Sequence, residues 1–139
     1  MSLATTRATL MAVVEQIVTD WTSYALKVEA PNRTAIDQVA QVDPYLRVDL
    51  DFLLGGGQDD MSDNPMVKQV GQLVITAVSK AGNGTAQSLE LLDFVAPYFS
   101  VRTLGNVQMH AAEAQRGKEI KGWWHQPLLI NFYTHNLRG

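Results

Sequence analysis

Apolar and polar residues alternate most regularly between Pro44 and Leu54. Leu46, Val48, Leu50, Phe52 and Leu54 fall on one side of an extended chain, and Tyr45, Arg47, Asp49 and Asp51 on the other. A period of two over this length predicts an antiparallel strand with one face on a core and one in water. A helical period runs from about Ala4 to Asp20, where Leu10, Val14, Ile17 and Trp21 share one face and Met11 and Val18 widen it. The stretch from Val67 to Phe99 joins both patterns. Leu73–Val78 is rich in β-branched and apolar residues and predicts a largely buried strand. Ser79–Gly84 carries two glycines and an asparagine, which is turn chemistry. Thr85 then stands where a hydroxyl caps a helix, and Leu89, Leu92, Val95 and Phe99 recur as that helix's buried stripe. Pro97 lacks an amide hydrogen and is expected to end or kink the helix in its last turn.

The remaining segments add strands and connections. Tyr24–Glu29 alternates briefly and reads as a short strand, whereas Pro31–Val42 reads as a connection. Gly55–Pro65 has neither period nor apolar content. Three glycines and several aspartates cannot offset the entropy of fixing it, so Gly55–Asn64 is expected to be poorly ordered in the isolated protein. Val101–Leu104 and Val107–Glu113 flank Gly105-Asn106, a two-residue hairpin signal, with Val107, Met109 and Ala111 pointing inward. Gln115–Gly122 is a charged loop, and Leu128–Thr134 alternates again as a last strand. The pattern predicts one α+β domain spanning residues 1–139: a mixed, mainly antiparallel sheet of about four to six strands, with two main helices packed on one face.

Composition narrows the function classes. At 139 residues and 46% hydrophobic, the chain is long and apolar enough for a core of its own. It contains no cysteine, which excludes disulfides, thiolate metal sites and a cysteine nucleophile. The N-terminal stretch has one arginine and no long apolar run, so no signal peptide is expected, and no apolar run is long enough for a membrane helix. A net charge of −3 gives no electrostatic case for binding nucleic acid.

Candidate chemistry is sparse. Gly55-Gly56-Gly57 lacks the Gly-Lys-Ser/Thr of a phosphate-binding loop and reads as a hinge. Asp59, Asp60 and Asp63 offer oxygen ligands, but Met61 stands where the alternating spacing of a calcium loop needs a ligand, so no metal site is expected. His110, His125 and His135 lie far apart with no zinc-binding spacing, and His110 and His135 fall on outward strand positions. Asp49 and Asp51 share a strand face as acid–base carboxylates would, yet so do alternate residues of any solvated strand. No serine elbow is present. No catalytic residue and no cofactor is therefore expected. Trp123-Trp124 is the exception to this blandness: in an extended segment the two rings point to opposite faces, so one is an exposed interface anchor unless both tuck against the loop from Gln115.

The order of features resembles the phage tail terminator family, small minor tail proteins of phages. The resemblance is carried by the first helix, by Pro44-Tyr45-Leu46-Arg47-Val48 opening a strand before a glycine-containing loop, and by Gly71-Gln72-Leu73-Val74-Ile75. It continues through the Gly82-Asn83-Gly84-Thr85 turn into a helix with Leu92-Asp93, Gly105-Asn106-Val107, and Gly122-Trp123-Trp124 before the final strand. It implies a non-enzymatic virion structural protein of the tail, assembled in the bacterial host cytoplasm. Such a protein forms a ring, usually hexameric, that caps the tail tube, stops its polymerisation and docks to head-completion proteins. A head–tail joining protein of the neck is the alternative, and a small soluble ligand-binding module a further one. A ring also gives meaning to charge. Between Val48 and Val67 five aspartates and no basic residue give −5, whereas from Arg102 onward the balance is +3. Heterologous ring contacts join different patches of neighbouring subunits. Asp59, Asp60, Met61 and Asp63 on one side, and Arg116, Lys118, Lys121, Trp123 and Trp124 on the other, are accordingly the expected interface.

Overall fold

Two strands much longer than the sequence pattern suggests form the centre of the fold. The computed structural model describes residues 3–30, 43–53, 66–82 and 86–137. In chain order it contains α1 (Leu3–Asp20), β1 (Val28–Glu29), β2 (Tyr45–Leu53), β3 (Met66–Lys80) and α2 (Ala86–Phe99). The second part adds β4 (Thr103–Leu104), β5 (Val107–Met109), β6 (Glu113–Ala114), β7 (Lys118–Ile120) and β8 (Trp123–Leu137). β3 and β8 pair antiparallel without a break, from Met66 opposite Leu137 to Lys80 opposite Trp123. β2 lies antiparallel on the other edge of β3, and β1 runs parallel to β2. The free edge of β8 is covered in succession by β7, β6 and β5, with β4 outside β5. The result is an α+β fold built on a mixed, mainly antiparallel sheet. It has eight strands among the described residues, more than expected because five of them are only two or three residues long.

Register shows why the alternating pattern works. The rows Val48–Ile75–Leu128, Leu50–Leu73–Ile130 and Phe52–Gly71–Phe132 each cross three strands on one face. Both helices contribute to the core on that face, α1 through Leu10, Val14 and Ile17, and α2 through Leu91, Leu92, Val95 and Phe99. Tyr98 donates a hydrogen bond from its hydroxyl to Asp20 Oδ2 at 2.5 Å, joining the end of α1 to α2. Gly71 is required by close approach: a Cβ there would stand 2.4 Å from Cζ of Phe132 and 2.7 Å from the Asp51 carbonyl oxygen. Its absence lets the Phe52 and Phe132 rings meet edge to face, with centroids 6.0 Å apart.

Pro127 sits inside a strand with neighbours on both sides, where a missing amide hydrogen is normally excluded. Its carbonyl accepts from Gln115 N–H at 2.9 Å, so its nitrogen faces the same, β6–β7 side and the β3 ladder is unaffected. The Gln115 carbonyl, deprived of a proline donor, accepts instead from Nε2 of Gln126 at 2.6 Å. A side-chain amide thus supplies the missing bond.

Several expectations change. The helix stripe passes through buried Ser88 and Leu91, and Leu89 is 41% exposed, because the stripe is set by Leu92, Val95 and Phe99 counted back in threes and fours. Ser88 Oγ lies 2.7 Å from Ser79 Oγ, so a polar pair rather than a leucine links α2 to β3. Pro97 lies inside α2, and the helix ends two residues later at Phe99. Of the short strand at Tyr24–Glu29 only Val28–Glu29 pairs. The hairpin at Gly105-Asn106 forms with Gly105 at φ 61°, but β5 stops at Met109 and Ala111 is exposed. Tyr45, expected in water, is buried on the opposite sheet face against Val78 and Trp123. Gln115–Gly122 contains β7 and a tight turn instead of a loop. The caps and loops assigned to Thr85 and Gly55–Asn64 lie outside the described residues.

The two faces have different energetic consequences. Leu92→Ala empties a buried site and should cost about 2–5 kcal/mol, whereas exposed Asp51→Ala should be nearly neutral. Chemical denaturation of both variants checks this, and equal midpoints would reverse the face assignment.

Removing the Gln126 amide should cost about 1 kcal/mol by leaving the Gln115 carbonyl without its internal donor. Gln126→Leu, which keeps the bulk, is expected to lower the melting temperature. It should also speed amide exchange at Ala114 and Gly117 more than at the β3–β8 ladder.

Candidate assembly surface

The sheet face opposite the helices carries the side chains that the sequence marks as outward. Its rows read Tyr45–Val78–His125, Arg47–Thr76–Pro127 and Asp49–Val74–Leu129. At one end Tyr45, Val78 and Trp123 form a small buried cluster, with the Tyr45 and Trp123 rings edge to face at 6.2 Å. Lys80 Nζ lies 6.0 Å from the centroid of the Trp123 ring, within cation–π range. Further along, half-buried Val74, Pro127 and Leu129 are bordered by charge.

The β7–β8 hairpin builds this end of the surface. Ile120 pairs with Trp123 across a two-residue turn in which Lys121 has φ 51° and Gly122 φ 86°. Two positive φ values define a type I′ turn, whose twist matches that of the flanking strands. The Gly122 carbonyl accepts from Ala81 N–H at 2.9 Å, which anchors the turn to the end of β3. Arg116, Lys118 and Lys121 are all exposed on or beside this hairpin. The two tryptophans do point to opposite faces, yet neither is an exposed anchor: Trp123 is 9% exposed and Trp124 is half-buried. Trp124 lies over Gly117, where an added Cβ would come within 2.4 Å of its ring, so the glycine before β7 is a packing requirement. Asp59, Asp60, Met61 and Asp63 lie outside the described residues.

Between hairpin and β2 lies a shallow groove of about 230 Å³ lined by Arg47, Asp49, Thr76, Lys118, His125 and Pro127. Arg47 Nε and Asp49 Oδ2 are 3.3 Å apart along the strand. His125 has its pKa held below the ordinary 6.5, first by burial and then by the positive charges of Arg47 and Lys118, with Glu29 opposing. The groove therefore favours a neutral imidazole between two cations. The sequence pattern placed Arg47 and Asp49 correctly outward, but nothing in it joins them to Lys118 and His125, which arrive only through the β2–β3–β8–β7 order. Among the described residues no group of three acidic or histidine side chains could hold a metal ion. No described helix is long and apolar enough to cross a membrane. His110 is exposed, with its ring 5.5 Å from that of Tyr133.

No family profile matches the chain, and no curated protein matches it. A solved structure of a protein without a descriptive name is similar to it, with a TM-score of 0.62 at 17% identity. The likeness covers 96% of this chain and 97% of the other. At that identity it speaks to the fold alone.

His125 gives a pH-dependent readout of the groove. Because its folded pKa is depressed, the unfolded chain binds a proton that the folded chain lacks as pH falls below 6.5, so stability declines on acidification. Between about pH 7.5 and about pH 5, the wild-type melting temperature should fall more steeply than that of His125→Gln. Parallel curves would show that the imidazole is solvated.

Proposed function

We propose that this chain is a structural protein of a phage or prophage tail, forming a homo-oligomeric ring, hexameric in the assembled tail. The ring caps the tail tube, stops its polymerisation and docks to head-completion proteins. The mechanism is steric: a closed ring leaves no further tube-binding surface on its outer side.

The reading rests on the sequence resemblance and on one structural observation, the place of the basic hairpin at one end of β3 while the residues that bound the acidic connection lie at the other. The basic hairpin sits at the Lys80–Trp123 end of the sheet. The connection bearing Asp59, Asp60 and Asp63 joins Leu53 to Met66, and these flank the other end, where Met66 pairs with Leu137. At about 3.3 Å per strand residue the two ends of β3 are roughly 46 Å apart. In this reading the acidic connection and the basic hairpin serve the two different sides of a contact between subunits. They suit head-to-tail contact between subunits, with charge steering the orientation.

Reversal of charge tests this. Arg116→Glu with Lys118→Glu should suppress the oligomer while leaving the monomer folded, and adding Asp59→Lys and Asp60→Lys should restore it. Salt should weaken the wild-type ring, since the Debye length shrinks from about 10 Å at 0.1 M to about 3 Å at 1 M. Light-scattering mass decides: an intact ring in the Arg116/Lys118 variant overturns the contact, and a wild-type monomer under tail-free conditions at every concentration argues against self-assembly.

A further inference from the structure

The groove beside the β7–β8 hairpin, of about 230 Å³, sets polar groups against an apolar wall. Register gathers the polar groups from four strands. Arg47 of β2 lies opposite Thr76 of β3, and Lys118 of β7 lies opposite His125 of β8. Ile120 and Pro127 supply the apolar surface. Two cations line the groove against one carboxylate, that of Asp49. Asp49 engages the Arg47 guanidinium at Nε, 3.3 Å away, and a guanidinium carries five N–H donors, so others remain for a second acceptor. Lys118 makes no ion pair among the described residues. Thr76 is 9% exposed on this face, and its hydroxyl has no partner among the described residues.

We propose that this groove binds a carboxylate, the chemistry of a glutamate or aspartate side chain on another polypeptide. A guanidinium, an ammonium and a hydroxyl are all donors, and charge-assisted bonds to a carboxylate satisfy them together. Methylenes next to the carboxylate would cover Ile120 and Pro127, which a bare inorganic anion leaves wet. Asp49 acts in the same direction, since it repels a dianion more than a monoanion. The groove is smaller than the roughly 300–1,000 Å³ of drug-sized sites and suits one side chain. The positive potential has an independent trace at His125. Burial lowers its pKa first, and the charges of Arg47 and Lys118 lower it further against the opposing pull of Glu29. The charged groups around the ring are thus Glu29 of β1, Arg47 and Asp49 of β2, and Lys118 of β7, with the Tyr45 phenol in the same row. A seated carboxylate would favour the imidazolium, so binding takes up protons and tightens as pH falls. The inference does not rest on the tail reading: a chain that scatters as a monomer and binds a carboxylate probe keeps the groove and loses the ring.

The test is a titration of the intact chain, followed by the backbone amide resonances of Thr76 and Lys118. Three probes are used: N-acetyl-glutamate methylamide, its neutral glutamine counterpart and inorganic phosphate. Saturable shifts with the glutamate probe, none with the glutamine amide and weaker binding of phosphate are expected. Arg47→Gln with Lys118→Gln should weaken glutamate binding about tenfold, as two partly solvated charge pairs would give. Both positions are exposed, so the fold should survive, and an unchanged melting transition verifies it. From about pH 8 to about pH 5.5 the wild-type affinity should rise by up to about tenfold, as a one-unit rise in the imidazole pKa on binding gives, and His125→Gln should flatten that dependence. Equal shifts with the glutamine amide, tighter binding of phosphate than of the glutamate probe, undiminished binding in the double variant, or an unchanged pH dependence in His125→Gln would each overturn the assignment.

Discussion

The β3–β8 ladder is the constraint on which the rest of the molecule depends. Fifteen residues of each strand pair without interruption, so each strand supplies an edge for something else: β3 for β2, and β8 for the broken series β5, β6 and β7. A pair this long fixes the twist and height of the whole sheet, and the helices can only fill the face it offers. Alternate residues on that face, from Leu73 to Ala77 and from Leu128 to Phe132, are fully or nearly fully buried. The opposite face has no helix residue in its buried cluster, which holds only Tyr45, Val78 and Trp123. A one-sided core therefore makes the other face available for contact.

How much of this could be read from the sequence depends on whether a signal is local. The β2 alternation and the α1 stripe are local and were legible almost to the residue. The true length of β8 was not, because Pro127 reads as a strand breaker and Trp123–Gln126 lacks alternation. Only the Gln126 amide, reaching the Gln115 carbonyl, makes a proline acceptable there. β7 was hidden for a related reason: Lys118–Ile120 is exposed throughout, so no burial pattern marks it, and Lys121-Gly122 is a weaker turn signature than Gly105-Asn106. Tyr45 was placed in water by its parity, and only β8 crossing beyond β3 brings Trp123 to cover it.

The sites follow the same division. That Trp123 and Trp124 face apart is a property of any extended pair, and it was legible. That neither projects freely depends on Tyr45, Val78 and Gly117, residues remote in sequence. The groove around His125 gathers residues from several separate segments, and no spacing rule spans such distances. The similar solved structure, alike over nearly its whole length at 17% identity, shows that this architecture tolerates almost complete replacement of side chains.

Pro127 and Gly71 have one more consequence, for the accuracy with which the sheet is assembled. A ladder of alternating apolar residues can slide by two positions and still present the same face to the core, so alternation alone rules out only odd slips. Gly71 receives the Phe132 ring, and a shift of two would set that ring against Leu73 or Gln69. Pro127 marks the other edge of β8 instead: it must face Gln115 with Gln126 beside it, and a slip of β8 against β6 and β7 would set the proline against a carbonyl that has no side-chain amide to serve it. Gly71 thus indexes β8 against β3, and Pro127 indexes it against the short strands on its other edge.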